Sequence, residues 1–204
     1  MEYNGSNKLL ILFAHPYFEK SRVNAELVKA CGGLDFVTFR DLYEIYPDFH
    51  INKRKEQNLL LEHDILILQH PFYWYGCPSI LKEWIDSVLE SGFAYGEGGD
   101  ALRGKKMLNA ITTGGSRDTY SQNGVHGYRM IDFLKVFERI AVFCGMDYLP
   151  PFVVHGTSGH RNDKTISHYR ELLGKTLSLL GDDSIDYDSL SKYEYINDYF
   201  SQTD

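Results

Sequence analysis

Cysteine is scarce in this chain: three in 204 residues, at Cys31, Cys77 and Cys144. An odd, scattered set with no Cys-x-x-Cys pair and no metal-ligand spacing excludes a disulfide framework and a zinc site, so no metal is expected. It fits a reducing compartment in which the thiols serve as small apolar filler. Long hydrophobic runs are missing too: nothing approaches the roughly twenty apolar residues that cross a bilayer. Residues 1–8 are polar and lack the apolar stretch of a signal peptide. Positive charge is in deficit, with 21 Lys and Arg against 28 Asp and Glu and a net charge of -7. That balance argues against a broad phosphate-backbone footprint and so against nucleic acid as a partner. Neither a P-loop nor Gly-x-Gly-x-x-Gly is present, which removes the glycine-motif arguments for ATP or a Rossmann dinucleotide.

What is present is enough apolar material for a core, 43% hydrophobic and 14% aromatic, in an alternating pattern. Residues 8–14 (KLLILFA) form a short apolar run that suits a strand covered on both faces. A helix follows over 21–31 with Ser21 as its N-cap. Further strands are expected at 36–42, 64–69, 105–113 and 148–155, the last at an edge because Pro150 and Pro151 cannot donate to a ladder. Helices are expected at 54–63, from Pro78 in a first-turn position, at 128–145 and at 166–180. Strand and helix alternate throughout, which predicts an α/β fold with a parallel sheet. With no repeat and no linker, the expectation is one domain over 1–204. The acidic, Tyr-rich segment 181–204 forms an extension, either packed or partly ordered.

Unusual residues gather in the loops after the first, third and fourth strands. In an open parallel sheet these strand ends are where ligands collect. The first loop presents Ser21, Arg22, Val23 and Asn24 at a helix N-terminus, suited to a phosphate with His15 as a nearby donor, or simply a capped helix. The second places Phe72, Tyr73, Trp74 and Tyr75 in a row. Four adjacent aromatics cannot all enter a core, so they suit stacking on a planar ligand, a hydrophobic lid or a subunit contact. The third carries Thr112, Thr113, Gly114 and Gly115, where backbone can approach a ring closely, followed by Tyr120 and His126 as hydrogen-bond or proton donors, or in the case of His126 simply a surface residue.

Taken in order, Ala14-His15-Pro16 with Ser21-x-x-Asn24, PFYWYGCPSILKEW at 71–84, and Thr-Thr-Gly-Gly-Ser at 112–116 with Tyr120 and His126 resemble the NAD(P)H:quinone reductase family. A closer resemblance is to its short bacterial branch, the ancillary oxidoreductases of glutathione-gated potassium-efflux systems. DLYEIYPDFHI at 41–51, GFAYGEGGDALRGKK at 92–106 and CGMDYLPPFVVHGT at 144–157 carry that likeness. It extends over about 8–180; the segment 116–127 looks more like the quinone-reductase loop, and the tail matches nothing.

The resemblance implies a flavodoxin-like three-layer α/β sandwich with a central parallel sheet of about five strands in the order 2-1-3-4-5. It implies a cytoplasmic homodimer that binds FMN, or alternatively FAD, and takes electrons from NAD(P)H to a quinone or similar flat electrophile in ping-pong fashion. Peripheral association with a potassium-efflux membrane protein, as a regulatory subunit, is the second reading it carries. Cofactor binding would fall to His15, Ser21, Arg22, Val23, Asn24, Pro71, Phe72, Tyr73, Trp74, Tyr75, Thr112, Thr113, Gly114, Gly115 and Ser116. Catalysis would fall to Tyr120 and His126.

Overall fold

Apolar side chains point alternately to the two faces of the central strands, and both faces are covered. This computed structural model describes residues 7–159 and 162–201; most of the polar N-terminal stretch (1–6) and the last three residues of the tail lie outside that range. Strand β1 (Leu9–Phe13) and strand β3 (Ile65–Pro71) are buried at every position. Leu10, Leu12, Leu66 and Leu68 enter one core cluster, while Leu9, Ile11, Ile65 and Ile67 enter the other. A parallel sheet sandwiched by helices requires such unbroken apolar runs.

With β2 (Val37–Asp41), β4 (Lys106–Thr112) and β5 (Asp147–Tyr148), the parallel order is β2-β1-β3-β4-β5. A sixth strand, β6 (Phe152–Val154), also pairs with β4. The expected strand at 148–155 is therefore two short pieces. Pro150 and Pro151 lack the N–H groups that a continuous ladder would use, and Leu149 makes the last bond before them, to Met107 O at 2.8 Å.

Helix α1 (Arg22–Lys29) is capped by Ser21, whose Oγ accepts from Asn24 N. Short α2 (Leu42–Ile45) was not expected; Asp41 caps it. Next come α3 (Lys53–Glu62) and α4 (Ser79–Val88). Pro78 is the residue before α4 rather than its first turn, with an extended ψ of 148°. The single helix expected at 128–145 is broken into α5 (Met130–Phe133) and α6 (Lys135–Phe143) at Leu134. The break lets Leu134 and Phe137 stay buried while Phe133 stacks on Tyr75 at 5.2 Å. Helix α7 (Asp163–Gly181) covers the other face beside α1.

The tail packs. Helices α8 (Tyr187–Leu190) and α9 (Ile196–Phe200) bring Leu190, Tyr195 and Ile196 into the interior. No helix among the described residues is long and apolar enough to cross a membrane.

Beneath the carboxyl end of β3 lies a buried polar chain. Tyr148 donates to Asn109 Oδ1 at 2.7 Å, and Asn109 Nδ2 donates to His70 Nε2 at 3.0 Å. His70 Nδ1–H then donates to Pro71 O at 3.0 Å, so the ring is neutral. Burial lowers its pKa from 6.5 to about 4. An unfolded His70 takes up a proton below pH 6.5, whereas the folded ring stays neutral down to about 4. The stabilisation is thus complete above pH 6.5 and drains away as pH falls towards 4, by about 3 kcal/mol in all. Urea unfolding from pH 7.5 to 4.5 should show a shallower pH slope for His70→Gln than for the wild type. Equal slopes would sink this assignment.

Candidate functional site

Strand order reverses between β1 and β3, and the loops leaving their carboxyl ends open a crevice there. His15 follows β1, and Phe72 continues β3 with its N–H on Thr112 O at 2.7 Å. Between them lies a cleft of about 250 Å³ lined in part by Ser21, Asn24, Tyr73 and Gly114. A second hollow of about 240 Å³ shares Lys20, Ser21 and Thr157 with it.

The N-terminus of α1 faces this cleft. The first bond within the helix runs from Ala25 N to Ser21 O, so the earlier amides of Arg22 and Val23 precede the ladder and remain donors at the positive end of the dipole. Their side chains are committed elsewhere. Arg22 pairs with Asp163 at 2.6 Å, and Val23 is in the core. Asn24 Nδ2 donates to Ser21 Oγ (2.9 Å) and Thr112 Oγ1 (3.1 Å). Asn24 Oδ1 is buried without a hydrogen-bond partner, an unusual state for an interior acceptor. His15 Nδ1 accepts from Tyr17 N at 3.1 Å, which leaves Nε2–H as the ring's donor. Burial, opposed by Glu19, lowers the His15 pKa and keeps the ring neutral.

The aromatic row divides. Phe72 is buried, Tyr73 meets His15 edge-on at 6.1 Å, and Tyr75 stacks on Phe133. Trp74 is 95% exposed. Trp74 and Tyr75 have φ of 48° and 62°, inside a turn closed by Gly76 N on Tyr73 O. Two consecutive positive φ values make a mirror-image turn that ordinarily takes Asn-Gly. Bulky side chains there cost about 1 kcal/mol or more each, and strain of this kind collects at ligand sites. Trp74→Gly gives up almost no packing, so it should raise stability by about 1 kcal/mol while loosening retention of a planar ligand. A lower melting temperature together with unchanged ligand retention would show that the turn is not strained for function.

The third loop is closely fitted. A Cβ on Gly114 would lie 2.2 Å from Ser158 Oγ, and one on Gly115 would lie 2.8 Å from the Tyr120 ring. Ser116 O accepts from Thr119 at 2.7 Å. Tyr120 is buried, with its hydroxyl 2.9 Å from Thr113 Oγ1, and His126 stacks on it with centroids 4.2 Å apart. Tyr75 OH lies 3.4 Å from His126 Nδ1. Tyr120 and His126 are therefore brought together, beside Phe72 (5.8 Å from Tyr120), rather than in the cleft lining itself.

Sequence reasoning missed Tyr17, Lys20, Thr157 and Ser158, all of which line the cleft. Thr157 and Ser158 follow β6, also at a carboxyl strand end, and that position could have marked them. Among the described residues there is no group of His, Cys, Asp and Glu that could hold a metal. A larger groove of about 440 Å³, between α6, the β5–β6 junction and the tail, lies away from these loops.

An open parallel sheet in this order, with its cleft at the β1/β3 crevice, defines the chain's class: it belongs to the family described as flavodoxin-like fold, matched over residues 7–177. Within that class it is similar to the glutathione-regulated potassium-efflux system ancillary protein KefG. Identity to the protein of Salmonella paratyphi C is 42% over 177 residues, 85% of this chain and 97% of the relative. With that of Pectobacterium atrosepticum it is 47% over 148 residues, 72% and 81% of the two chains. Among solved structures it is similar to general stress protein 14 of Treponema denticola in complex with FMN, at TM-score 0.80 and 36% identity, covering 85% and 99%. An NADPH-quinone reductase from P. pentosaceus matches at TM-score 0.75 and 28% identity, covering 83% and 96%. The family, fold and strand order expected from the sequence are those found.

Proposed function

We propose that this chain, a single domain over 1–204 with 181–204 as its extension, is an FMN-dependent NAD(P)H oxidoreductase. Its acceptors would be quinones or similar flat electrophiles. The carrying observation is the cleft at the β1/β3 crevice, lined by the start of a helix at Ser21 and Asn24 and by the aromatics Phe72 and Tyr73. The residues fit FMN. Free amides of Arg22 and Val23, with Ser21 and Lys20, suit a phosphate; the orphaned Asn24 Oδ1 suits a ribityl hydroxyl; and the bare backbone of Gly114, which lines the cleft, lets a ring approach closely. The FMN complex of the Treponema denticola relative supports this choice over FAD.

FMN when bound supplies the redox chemistry, a two-electron exchange with the nicotinamide and then with the acceptor. The protein's part is to bind, orient and stabilise charge. Neutral His15 offers Nε2–H at the cleft wall without bringing a second positive charge. Phe72 and Tyr73 wall the planar space and exclude water. Tyr120 and His126 hold protons on the phenol and imidazole, and with the backbone amides near Gly114 they are the donors for negative charge that develops beside them. Donor and acceptor would share one face of the cleft, so they exclude each other and ping-pong kinetics follow. Anaerobic spectra of protein loaded with FMN test the proposal. Rapid bleaching by NADPH or NADH supports it, and flavin that neither donor reduces, or that does not bind, overturns it.

A second reading has its own support. The KefG relatives match over 81% to 97% of their length, and they are ancillary proteins of a potassium-efflux system. In that reading the protein works in the cytoplasm, as a homodimer docked at the inner face of a membrane protein of that class. Co-sedimentation with membranes carrying such an efflux protein, compared with membranes lacking it, separates the two roles.

A further inference from the structure

The family match ends at residue 177, so α8 and α9 lie beyond it, yet this segment is tied to the loop that carries Tyr120 and His126. Two independent attachments hold it. The first is to the sheet edge: Ile196 N donates to Pro151 O at 3.0 Å. Asn197 acts as a strand residue would, its Oδ1 accepting from Val153 N at 2.8 Å and its Nδ2 donating to Val153 O at 3.1 Å. The second is to the loop. Asp198 receives both arms of the Arg117 guanidinium, at 3.0 and 2.9 Å, and that guanidinium lies over the Tyr195 ring at 4.6 Å. At the loop's other end Arg129 pairs with Glu194 at 3.7 Å. Beneath, Tyr195 packs on His155 at 5.6 Å and His155 on Tyr120 at 5.9 Å.

Bidentate Arg–carboxylate pairing fixes direction as well as distance, and a cation over an aromatic face adds to it. A loop held at Arg117 and Arg129 has its intervening residues confined from both sides. We propose that segment 194–198 is a clamp for the loop 116–129, with Asp198 and Tyr195 as positioning residues that keep Tyr120 and His126 face to face. This rests on the role given above to Tyr120 and His126. Relatives without such a segment would have to order the loop by other means.

Asp198→Asn tests it cleanly, because Ile196 and Asn197 still dock the tail and the fold should persist. The first readout is amide hydrogen exchange of the cofactor-free protein. Exchange over 116–129 should rise about fivefold, with β1 and β3 unchanged. The second is FMN reduction at saturating NADPH, which should slow by a similar factor while FMN affinity holds. The charge swap Arg117→Asp with Asp198→Arg should restore both. Loop exchange in Asp198→Asn equal to wild type overturns the clamp, as does faster exchange throughout the sheet, which marks a purely structural role. If the wild type is not reduced by NADPH, the oxidoreductase reading fails, and the exchange experiment still decides whether the tail orders the loop.

Discussion

Tyr120→Phe combined with His126→Gln should slow NADPH-driven reduction of bound FMN about a hundredfold or more, with FMN itself retained. The size follows from removing donors that meet charge only as it develops; loss of one such donor commonly costs a hundredfold. Retention follows from geometry, because neither side chain is among the residues that line the cleft at Ser21, Asn24 and Gly114. The substitutions are also conservative for the fold. Phe keeps the ring that abuts Gly115, and Gln can still meet Tyr75 OH. Each single variant should show a large part of the loss, since stacked groups at 4.2 Å act as a unit and their effects do not add. Stopped-flow absorbance of the bound flavin measures the step directly. A double variant reduced at the wild-type rate would remove both residues from the mechanism.

The parts of this arrangement that were legible are those governed by local pattern. β1 and the first part of β3, Ile65–Leu68, read as buried strands because their apolar runs are unbroken and both faces are covered. The loops after β1, β3 and β4 are legible as ligand loops because their unusual residues gather at carboxyl strand ends. What stayed hidden depends on partners distant in sequence. Lys20 becomes a cleft residue only because a short 3-10 turn, Phe18–Lys20, precedes α1. Thr157 and Ser158 reach the site because β6 pairs with β4, placing Val154 beside Thr112, and because Thr157 N bonds to Thr113 O at 2.9 Å. The turn at Trp74 and Tyr75 could not be foreseen from turn chemistry, which calls for Asn and Gly there. Nor does an acidic, Tyr-rich tail announce that Asn197 will complete a sheet edge. The break at Leu134 was lost because the apolar spacing of α5 and α6 is continuous across it.

The same blindness hid the group whose loss should most damage the fold. Glu56 lies in a helix spelled KRKEQNLLLE, where charge ordinarily means a solvated face, yet it is fully buried. Its Oε1 accepts from Arg40 Nη2 at 2.5 Å and from Tyr46 OH at 2.6 Å, and its Oε2 from Trp84 Nε1 at 2.9 Å. Those donors come from β2, the end of α2 and α4, so one carboxylate joins three elements around α3. Burial, with Glu56 beside it, pushes the Tyr46 phenol up to about 12, which keeps it a donor at any physiological pH. Glu56→Ala strands the Arg40 charge, whose Nε already lacks a partner, and orphans two further donors. The expected cost is about 3–5 kcal/mol, a large share of the roughly 5–15 kcal/mol that keep an ordinary domain folded. Glu56→Gln keeps an acceptor in place and should lose less. Arg40→Met with Glu56→Leu removes the charge along with its partner, so it should recover part of the loss in Glu56→Ala, because the penalty lies in leaving one ion uncompensated rather than in the pair's own attraction. Urea midpoints at constant slope measure all three. A Glu56→Ala protein that unfolds within 1 kcal/mol of the wild type would mean that water reaches Arg40 and that the cluster does not hold these elements together.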